Sequence, residues 1–189
     1  MAHLLADSIG AAALRRRART HNCYTRSMLI RPTTEHDWTT LKELRLAALL
    51  DAPTAFGVTH ASAAANPDRQ WQDRAAGRGP AAYLLAFDGG MPVGMIGGVL
   101  SEAQEFSLIA MWVKPALRGS GAAAALVDAM KRHAQAKGHQ RVVLEVSPAN
   151  ERAAAFYRKL GFQFLPQWEA LESHPHIQLQ KMEWRASES

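Results

Sequence analysis

The sequence predicts an α/β domain in which helices cover both faces of a mixed sheet. Strand-like and helical hydrophobic patterns alternate along the chain. A strand–helix–strand unit over residues 106–147 requires a right-handed crossover between locally parallel strands, whereas hairpin signals over 81–100 and 162–184 require antiparallel neighbours. The sheet must therefore combine both pairing directions, and a length of 189 residues suits one such domain.

The first elements follow from capping and turn residues. A short strand over residues 28–31 precedes a helix that runs to about residue 51 and begins with a capping box of Thr34 and Asp37. Residues 51–60 are predicted to form a loop with an exposed Phe56. The remaining elements are a helix over 66–76, strands over 81–87, 92–100, 105–113, 141–147, 162–165 and 176–184, and helices over 119–137 and 149–160.

Residues 1–27 differ in composition from the rest of the chain. They hold five arginines and one acidic residue, Asp7, so they carry +4 of the formal charge of +5. Three interpretations of this basic extension stay open: a stretch upstream of a working start at Met28, an arginine-rich targeting segment, or a basic arm that binds an acidic partner. We predict that the extension is disordered and that the domain occupies residues 28–189.

The composition of that domain argues against several classes of function. Its net charge is only 5 − 4 = +1, which is not the basic balance of a nucleic-acid-binding domain. No apolar run approaches the roughly eighteen residues of a membrane span. Cys23 is the single cysteine, so neither an internal disulfide nor a cysteine zinc site can form. We expect a cytoplasmic protein with no metal and with no nucleic-acid or membrane partner.

The segment Val113–Ala123 is the strongest functional signal in the sequence. A strand ends there, a glycine-bearing turn follows, and a long helix begins. Such a junction gathers unpaired backbone N–H groups at the positive end of a helix dipole, which suits a phosphate, and Arg118 adds a positive charge. The segment contains neither a Walker-type loop nor a dinucleotide-binding fingerprint. An alternative is that its glycines only permit tight packing of the helix on the strand.

Two blocks of this sequence resemble the GNAT family of N-acetyltransferases. Arg118-x-x-Gly121-x-Ala123 matches the family pattern Arg/Gln-x-x-Gly-x-Gly/Ala, and residues 150–162 resemble the second family block. The resemblance covers about residues 28–184. It implies a sheet splayed between the strands at about 105–113 and 141–147. It also implies acetyl-CoA as the co-substrate and transfer of the acetyl group to a primary amine.

The resemblance also implies which residues bind acetyl-CoA. The turn and helix start would hold the pyrophosphate through backbone N–H groups, the end of the preceding strand would pair with pantetheine as an added strand does, and Asn150 would reach the same arm. The cofactor-binding residues implied in this way are Met111, Trp112, Val113, Arg118, Gly119, Ser120, Gly121, Ala122, Ala123 and Asn150.

Two side chains are candidates for catalysis. In the family, the tyrosine that matches Tyr157 is proposed to protonate the departing thiolate, and a phenol with a pKa near ~10 suits that transfer. The alternative is a tyrosine that only packs its ring. Glu145 lies in a strand that we expect to be covered on both faces, where a carboxylate needs a partner or a wet cleft. It is either the general base for the amine or part of a buried ion pair, and Glu102 and Glu105 are its competitors as base.

The sequence leaves the acceptor open. We expect residues 52–60 and a loop over 166–175 to shape its pocket, with Phe56 as a wall. The resemblance allows a homodimer, as dimers are common in the family. A non-catalytic, regulatory acetyl-CoA-binding domain is the alternative function.

Overall fold

A computed structural model describes residues 28–187, so the predictions for residues 1–27 lie outside the described part. The strands are β1 (Met28–Pro32), β2 (Ala81–Asp88), β3 (Met91–Leu100), β4 (Phe106–Val113), β5 (Arg141–Val146), β6 (Gln163–Leu171) and β7 (His174–Arg185). The α-helices are α1 (Trp38–Asp51), α2 (His60–Ala64), α3 (Asp68–Ala75), α4 (Ala122–Ala136) and α5 (Glu151–Lys159). Short 3-10 helices span Glu35–Asp37, Pro53–Ala55 and Pro115–Leu117.

The seven strands form one sheet in the order β1-β2-β3-β4-β5-β7-β6. All neighbours pair antiparallel except β4 and β5, which pair in parallel. The long helix α4 makes the crossover between these two strands, as the strand–helix–strand pattern requires. The prediction of a mixed sheet is confirmed.

The sheet opens between β4 and β5. The two strands pair only at Phe106 with Val142 and at Ser107 with Val143. Beyond these pairs β5 continues with β7 as far as Val146, while β4 runs on to Val113 beside β3. The splay predicted between these strands is therefore present, and it leaves one edge of β4 without a strand partner.

Helices cover both faces of the sheet, as predicted. On one face α4 buries Leu126 and Met130 in a core with Ile96 and Leu144. On the other face α1 and α3 pack against β2 and β3, and Trp71 lies fully buried in that second core. The first core requires a glycine at position 98, because a Cβ there would lie 2.4 Å from the Phe106 ring.

The segment between α1 and α3 contains a short helix that was not predicted from the sequence. Residues 60–64 form the short helix α2, whose N-cap Thr59 accepts a hydrogen bond from the Ser62 N–H at 3.2 Å. Phe56 is buried, with 9% of its surface exposed, and the Arg45 guanidinium lies over its ring at 4.5 Å. The expectation of an exposed Phe56 was wrong because the ring joins the core of this face.

The predicted loop over residues 166–175 does not exist. Strand β6 continues to Leu171 and turns directly into β7, with Leu171 opposite His174. Pro166 indicated a loop, but β6 is the edge strand of the sheet, where a proline need not donate to a ladder. The pairing is irregular between Phe164 and Trp168, which absorbs the proline.

Candidate active site

The turn before α4 has the backbone of an anion-binding site. Gly119 and Gly121 have φ values of 85° and 90°, which are left-handed and favour glycine. A Cβ built on either would meet nothing within 4 Å, so the turn conformation, and not packing, explains these glycines. Helix α4 begins at Ala122, three residues later than predicted, and Gly121 supplies no side-chain cap. Within the turn the Ser120 N–H donates to Leu117 O at 3.2 Å and the Ala122 N–H donates to Ser120 Oγ at 3.4 Å. The N–H groups of the next two residues, Ala123 and Ala124, have no intrahelical partner.

The Arg118 side chain is held by the end of α1. Its guanidinium contacts the Asp51 carboxylate, which also accepts a hydrogen bond from the Trp112 indole N–H at 2.8 Å. These two donors, Trp112 first, hold the pKa of Asp51 below its usual range. Asp51 thus joins the turn to β4 and α1. An acidic residue at a helix C-terminus opposes the dipole, and this is the signal by which the sequence could have revealed Asp51.

The open edge of β4 presents main-chain groups to the gap. The Lys114 N–H donates to Val93 O at 2.8 Å, toward β3. Because antiparallel backbone groups alternate in direction, those of Val113 point away from β3, into the space that β5 has left. Met111 lies two residues earlier on the same strand. The side chains of Met111 and Val113 pack in the core below α4, whereas Trp112 belongs to the opposite core.

A β-bulge interrupts β4 just before these residues. Gly97 pairs with Ile109 and Met95 with Trp112, so Ala110 and Met111 together face one residue of β3. Ala110 has a φ of 54°, a left-handed conformation that costs a non-glycine residue about 1–2 kcal/mol. Bulges and strained residues of this kind re-aim main-chain groups next to functional sites. No sequence signal marked Ala110.

Tyr157 lies on the buried face of α5. Ala154 and Tyr157 are the buried residues of this helix, and Ala153 and Phe156 pack beside them against the same core. The Tyr157 ring contacts Phe162 edge-on, at 5.7 Å between centroids. Burial raises the pKa of the Tyr157 phenol above its ordinary value. The hydroxyl therefore keeps its proton throughout the physiological range.

Two polar contacts fix the position of α5. The Asn150 carboxamide oxygen accepts a hydrogen bond from the Ala153 N–H at 3.2 Å and caps the helix. At the other end, the buried Lys131 of α4 donates to Leu160 O at 2.6 Å. Asn150 is exposed. Because only its carboxamide oxygen takes part in the cap, the amide nitrogen remains available for another contact. The sequence did not single out Lys131.

Glu145 is more open than the sequence suggested. Its side chain is solvent-exposed, so the expectation that the strand is covered on both faces was wrong at this residue. It lies opposite Lys181 of β7 and near Glu169 of β6. Although the residue keeps an exposed surface, neighbouring protein atoms partly desolvate its carboxylate, and this desolvation, followed by the hydrogen bond with Glu169, raises the pKa of Glu145 to about 7. Among residues 28–187, no arginine forms an ion pair with this carboxylate.

Glu105 has the opposite electrostatic environment. It receives Lys181 Nζ and Arg141 Nη1, each at 2.6 Å, and these contacts, Lys181 first, lower its pKa. Arg141 also binds Glu183 at 2.7 Å. The network ties β4, β5 and β7 together at the end where β4 and β5 are paired. A carboxylate stabilised in this way is a poor general base at neutral pH, whereas Glu102 lies exposed in the preceding turn.

Comparison with known proteins agrees with this geometry. A family model described as the acetyltransferase (GNAT) family matches residues 43–162, which is more than half of the chain. The chain belongs to the GNAT acetyltransferase family. The match includes β4, the turn before α4, and α5.

Individual relatives match only part of this GNAT domain. It is 33% identical over 86 residues to a probable N-acetyltransferase family 8 member 5 of Mus musculus, and that match covers 43% of this chain and 38% of the relative. The match thus spans less than half of the relative's length.

The solved structures show the same fold. An acetyltransferase of the GNAT family from Streptococcus pneumoniae has a TM-score of 0.69 at 20% identity and covers 85% of this chain and 100% of its own. A putative acetyltransferase from Salmonella typhimurium, solved with its cofactor acetyl-CoA, has a TM-score of 0.67 at 17% identity. The match covers 86% of this chain and 96% of that protein.

The predicted residues lie on the two strands that separate, β4 and β5, and on the segments that directly follow them. The turn over 118–123 follows the β4 edge over 111–113, and Asn150 and Tyr157 belong to the helix that follows β5. Glu145 projects from β5 on the face opposite Leu144. Residues 28–187 contain no group of three or more His, Cys, Asp or Glu placed to hold a metal ion, and none of their helices is long and apolar enough to cross a membrane.

Proposed function

We propose that this protein transfers the acetyl group of acetyl-CoA to a primary amine by direct attack of the amine on the thioester. The observation that carries the proposal is the row of main-chain groups along the unpaired edge of β4 at Val113, which leads through the glycine turn to the N-terminus of α4. A row of this length and polarity suits a ligand with an amide-containing arm and a pyrophosphate at its end.

Different residues would bind the pyrophosphate and the pantetheine arm of acetyl-CoA. The pyrophosphate would accept hydrogen bonds from the N–H groups around Gly119–Ala123, where the helix dipole favours negative charge. The pantetheine amides would pair with the free groups of Met111 and Val113. Arg118 would contribute charge at the mouth of the site while Asp51 holds its position, and the Asn150 amide would contact the arm from the α5 side.

The chemistry requires a base, an oxyanion site and an acid. Glu145, with a pKa near 7, would take a proton from the ammonium form of the acceptor, directly or through a water. The amine nitrogen then bonds to the thioester carbon, and a main-chain N–H of the bulged segment near Val113 stabilises the negative oxygen. As the C–S bond breaks, Tyr157 gives its proton to the sulfur, and the proton still carried by the attacking nitrogen leaves and restores the phenol. The burial that raises the pKa of Tyr157 also raises the pKa of a thiol held beside it, so the transfer stays feasible. Alignment of the two reactants supplies much of the rate.

The regulatory alternative uses the same binding groups without the chemistry. A domain that only binds acetyl-CoA needs neither a carboxylate with a raised pKa, such as that of Glu145, nor a phenol at the position of Tyr157. These two groups favour catalysis. For its setting we propose the cytoplasm, in accord with the single cysteine, and a homodimer, which sedimentation of the purified chain would test.

The experiment follows thiol release from acetyl-CoA in the presence of a broad panel of primary amines, with the acetylated product identified by mass. The proposal predicts that at least one amine accelerates thiol release and gains an acetyl group. Tight binding of acetyl-CoA with no consumption of the thioester by any amine would support the regulatory alternative and contradict the proposal.

A further inference from the structure

A cavity lies between the segment that holds α1–α3 and the strands β2, β3 and β4. Its volume is about 400 Å³, which suits a small ligand or one side chain. Ile109, the residue just before the bulge in β4, forms part of its wall. Because Ile109 is two residues before Met111, the cavity reaches β4 just ahead of the segment that we assign to the thioester. The residues that matter for its chemistry are Arg45, Ser62, Trp71, Arg74, Tyr83 and Ile109.

Two hydrogen-bond donors in the cavity wall have no acceptor. Arg45 Nη1 and Trp71 Nε1 are both buried, and neither has a hydrogen-bond partner among residues 28–187. Trp71 is 1% exposed. Buried donors without partners are rare in folded proteins, and each costs roughly 1–3 kcal/mol. An acceptor from outside the chain would satisfy them.

The charges in the wall have the same sign. Arg45 and Arg74 both line the cavity, and its lining within the described residues includes no Asp or Glu. The guanidinium of Arg45 lies over Phe56 at 4.5 Å and that of Arg74 over Trp71 at 4.8 Å.

The acidic residues of the adjacent α3 are already paired. Asp68 binds Lys42 at 2.7 Å and Asp73 binds Arg78 at 2.9 Å. Burial lowers the pKa of Arg45, Tyr83 opposes this lowering, and Arg74 adds to it, so the net effect of the surroundings is to destabilise the cation. A buried cation without a counter-ion is costly.

We infer that this cavity binds a carboxylate of the acceptor, so that the substrates are amines that also carry a carboxylate, such as an amino acid or an acidic peptide. A carboxylate supplies two acceptor oxygens and one negative charge, and a guanidinium binds it through paired N–H groups. The inference rests on the proposed function for the identity of the amine, but the anion site itself does not.

The kinetic test compares amino acids and ω-amino acids with their carboxamides, which keep the amine and lose the charge. The wild-type protein should prefer the carboxylates by at least about 10-fold in kcat/KM, the factor expected for a charge-assisted hydrogen bond. Arg45→Gln should abolish this preference. Arg69→Gln should keep it, because Arg69 is an exposed arginine nearby that does not line the cavity.

A binding test separates this inference from the proposed function. Calorimetry of the same carboxylates and carboxamides should detect binding of the carboxylates alone, and Arg45→Gln should remove it. If no amine is acetylated but carboxylates bind through Arg45, the proposed function fails and the anion site stands. Turnover without preference for carboxylates, equal effects of the two arginine variants, or the lack of carboxylate binding would overturn the inference. A preference for aminoalkyl phosphates would overturn its assignment to carboxylates.

The stability of a variant gives a further readout. Because Arg45 lacks a counter-ion, Arg45→Met should leave the melting temperature of the ligand-free protein unchanged or raise it, while carboxylate binding is lost. A residue retained for folding alone would behave in the opposite way. A marked fall in melting temperature with unchanged carboxylate binding would therefore contradict the assignment.

Discussion

At the residue scale, Glu145 is exposed and has a pKa of about 7. If it is the base, kcat/KM for the amine should rise with pH and level off above about pH 7, after correction for titration of the amine itself. Glu145→Gln should lower kcat about 10²-fold or more and remove this titration. Glu43→Gln, at an exposed position on α1, is the control. An unchanged pH profile in Glu145→Gln would exclude the role.

The same pKa predicts an effect on stability. The pKa of Glu145 is higher in the folded protein than in the unfolded chain, where it is near ~4.3. Its contribution is therefore fully present below about pH 4 and is lost as the pH rises through 7. Denaturant unfolding of Glu145→Gln and the parent should show the variant gaining stability relative to the parent across that range. A difference that is constant with pH would contradict the shift.

Tyr157 allows a separation of packing from proton transfer. Tyr157→Phe keeps the ring between Phe156 and Phe162 and removes only the hydroxyl. We expect an almost unchanged melting temperature and a kcat lowered about 10²-fold, with acetyl-CoA affinity retained. Equal kcat values for variant and parent would mean that Tyr157 only packs in the core and does not donate a proton.

At the element scale, the end of α1 positions the acetyl-CoA turn through Asp51. Asp51→Asn weakens the contact with Arg118 while it keeps a hydrogen-bond acceptor for Trp112. The KM for acetyl-CoA should rise several-fold with little change in kcat. A double-mutant cycle with Arg118→Gln should give a coupling of about 0.5 kcal/mol, the value for a partly exposed pair. Additive effects on KM would mean that the two residues act independently.

The bulge in β4 is expected to position main-chain groups of the acetyl-CoA site. Ala110 has a left-handed φ, so Ala110→Gly should be tolerated, whereas Ala110→Val should destabilise the fold by about 1–2 kcal/mol. If the bulge aims main-chain groups at the thioester, the valine variant should also lose acetyl-CoA affinity at temperatures where it remains folded. An unaltered affinity for acetyl-CoA would mean that the bulge does not contribute to the acetyl-CoA site.

At the scale of the whole molecule, local signals predicted the element order well. The glycine turn and the proline and capping residues set the ends of α3, α4 and α5 to within a few residues. The crossover between the parallel strands and the splayed sheet followed from the strand–helix–strand unit and from the family resemblance.

What the sequence did not reveal depends on contacts between distant residues. Asp51 and Arg118 are 67 positions apart, and neither residue alone indicates the pair. The bulge at Ala110 depends on its register against β3. Pro166 is a loop signal that the edge position of β6 overrides. The exposure of Glu145 depends on how far β5 departs from β4, which periodicity does not measure.

The central claim is that acetyl-CoA binds along β4 and the N-terminus of α4. Calorimetry of acetyl-CoA with Gly121→Glu and Gly138→Glu tests it most directly, because the two glycines have φ values of 90° and 88° with open space beside each and lie at opposite ends of α4. The parent and Gly138→Glu should bind with a Kd on the order of micromolar, and Gly121→Glu should not, since its carboxylate would occupy the anion site. Lack of binding by the parent, or equal binding by the two variants, would contradict the account.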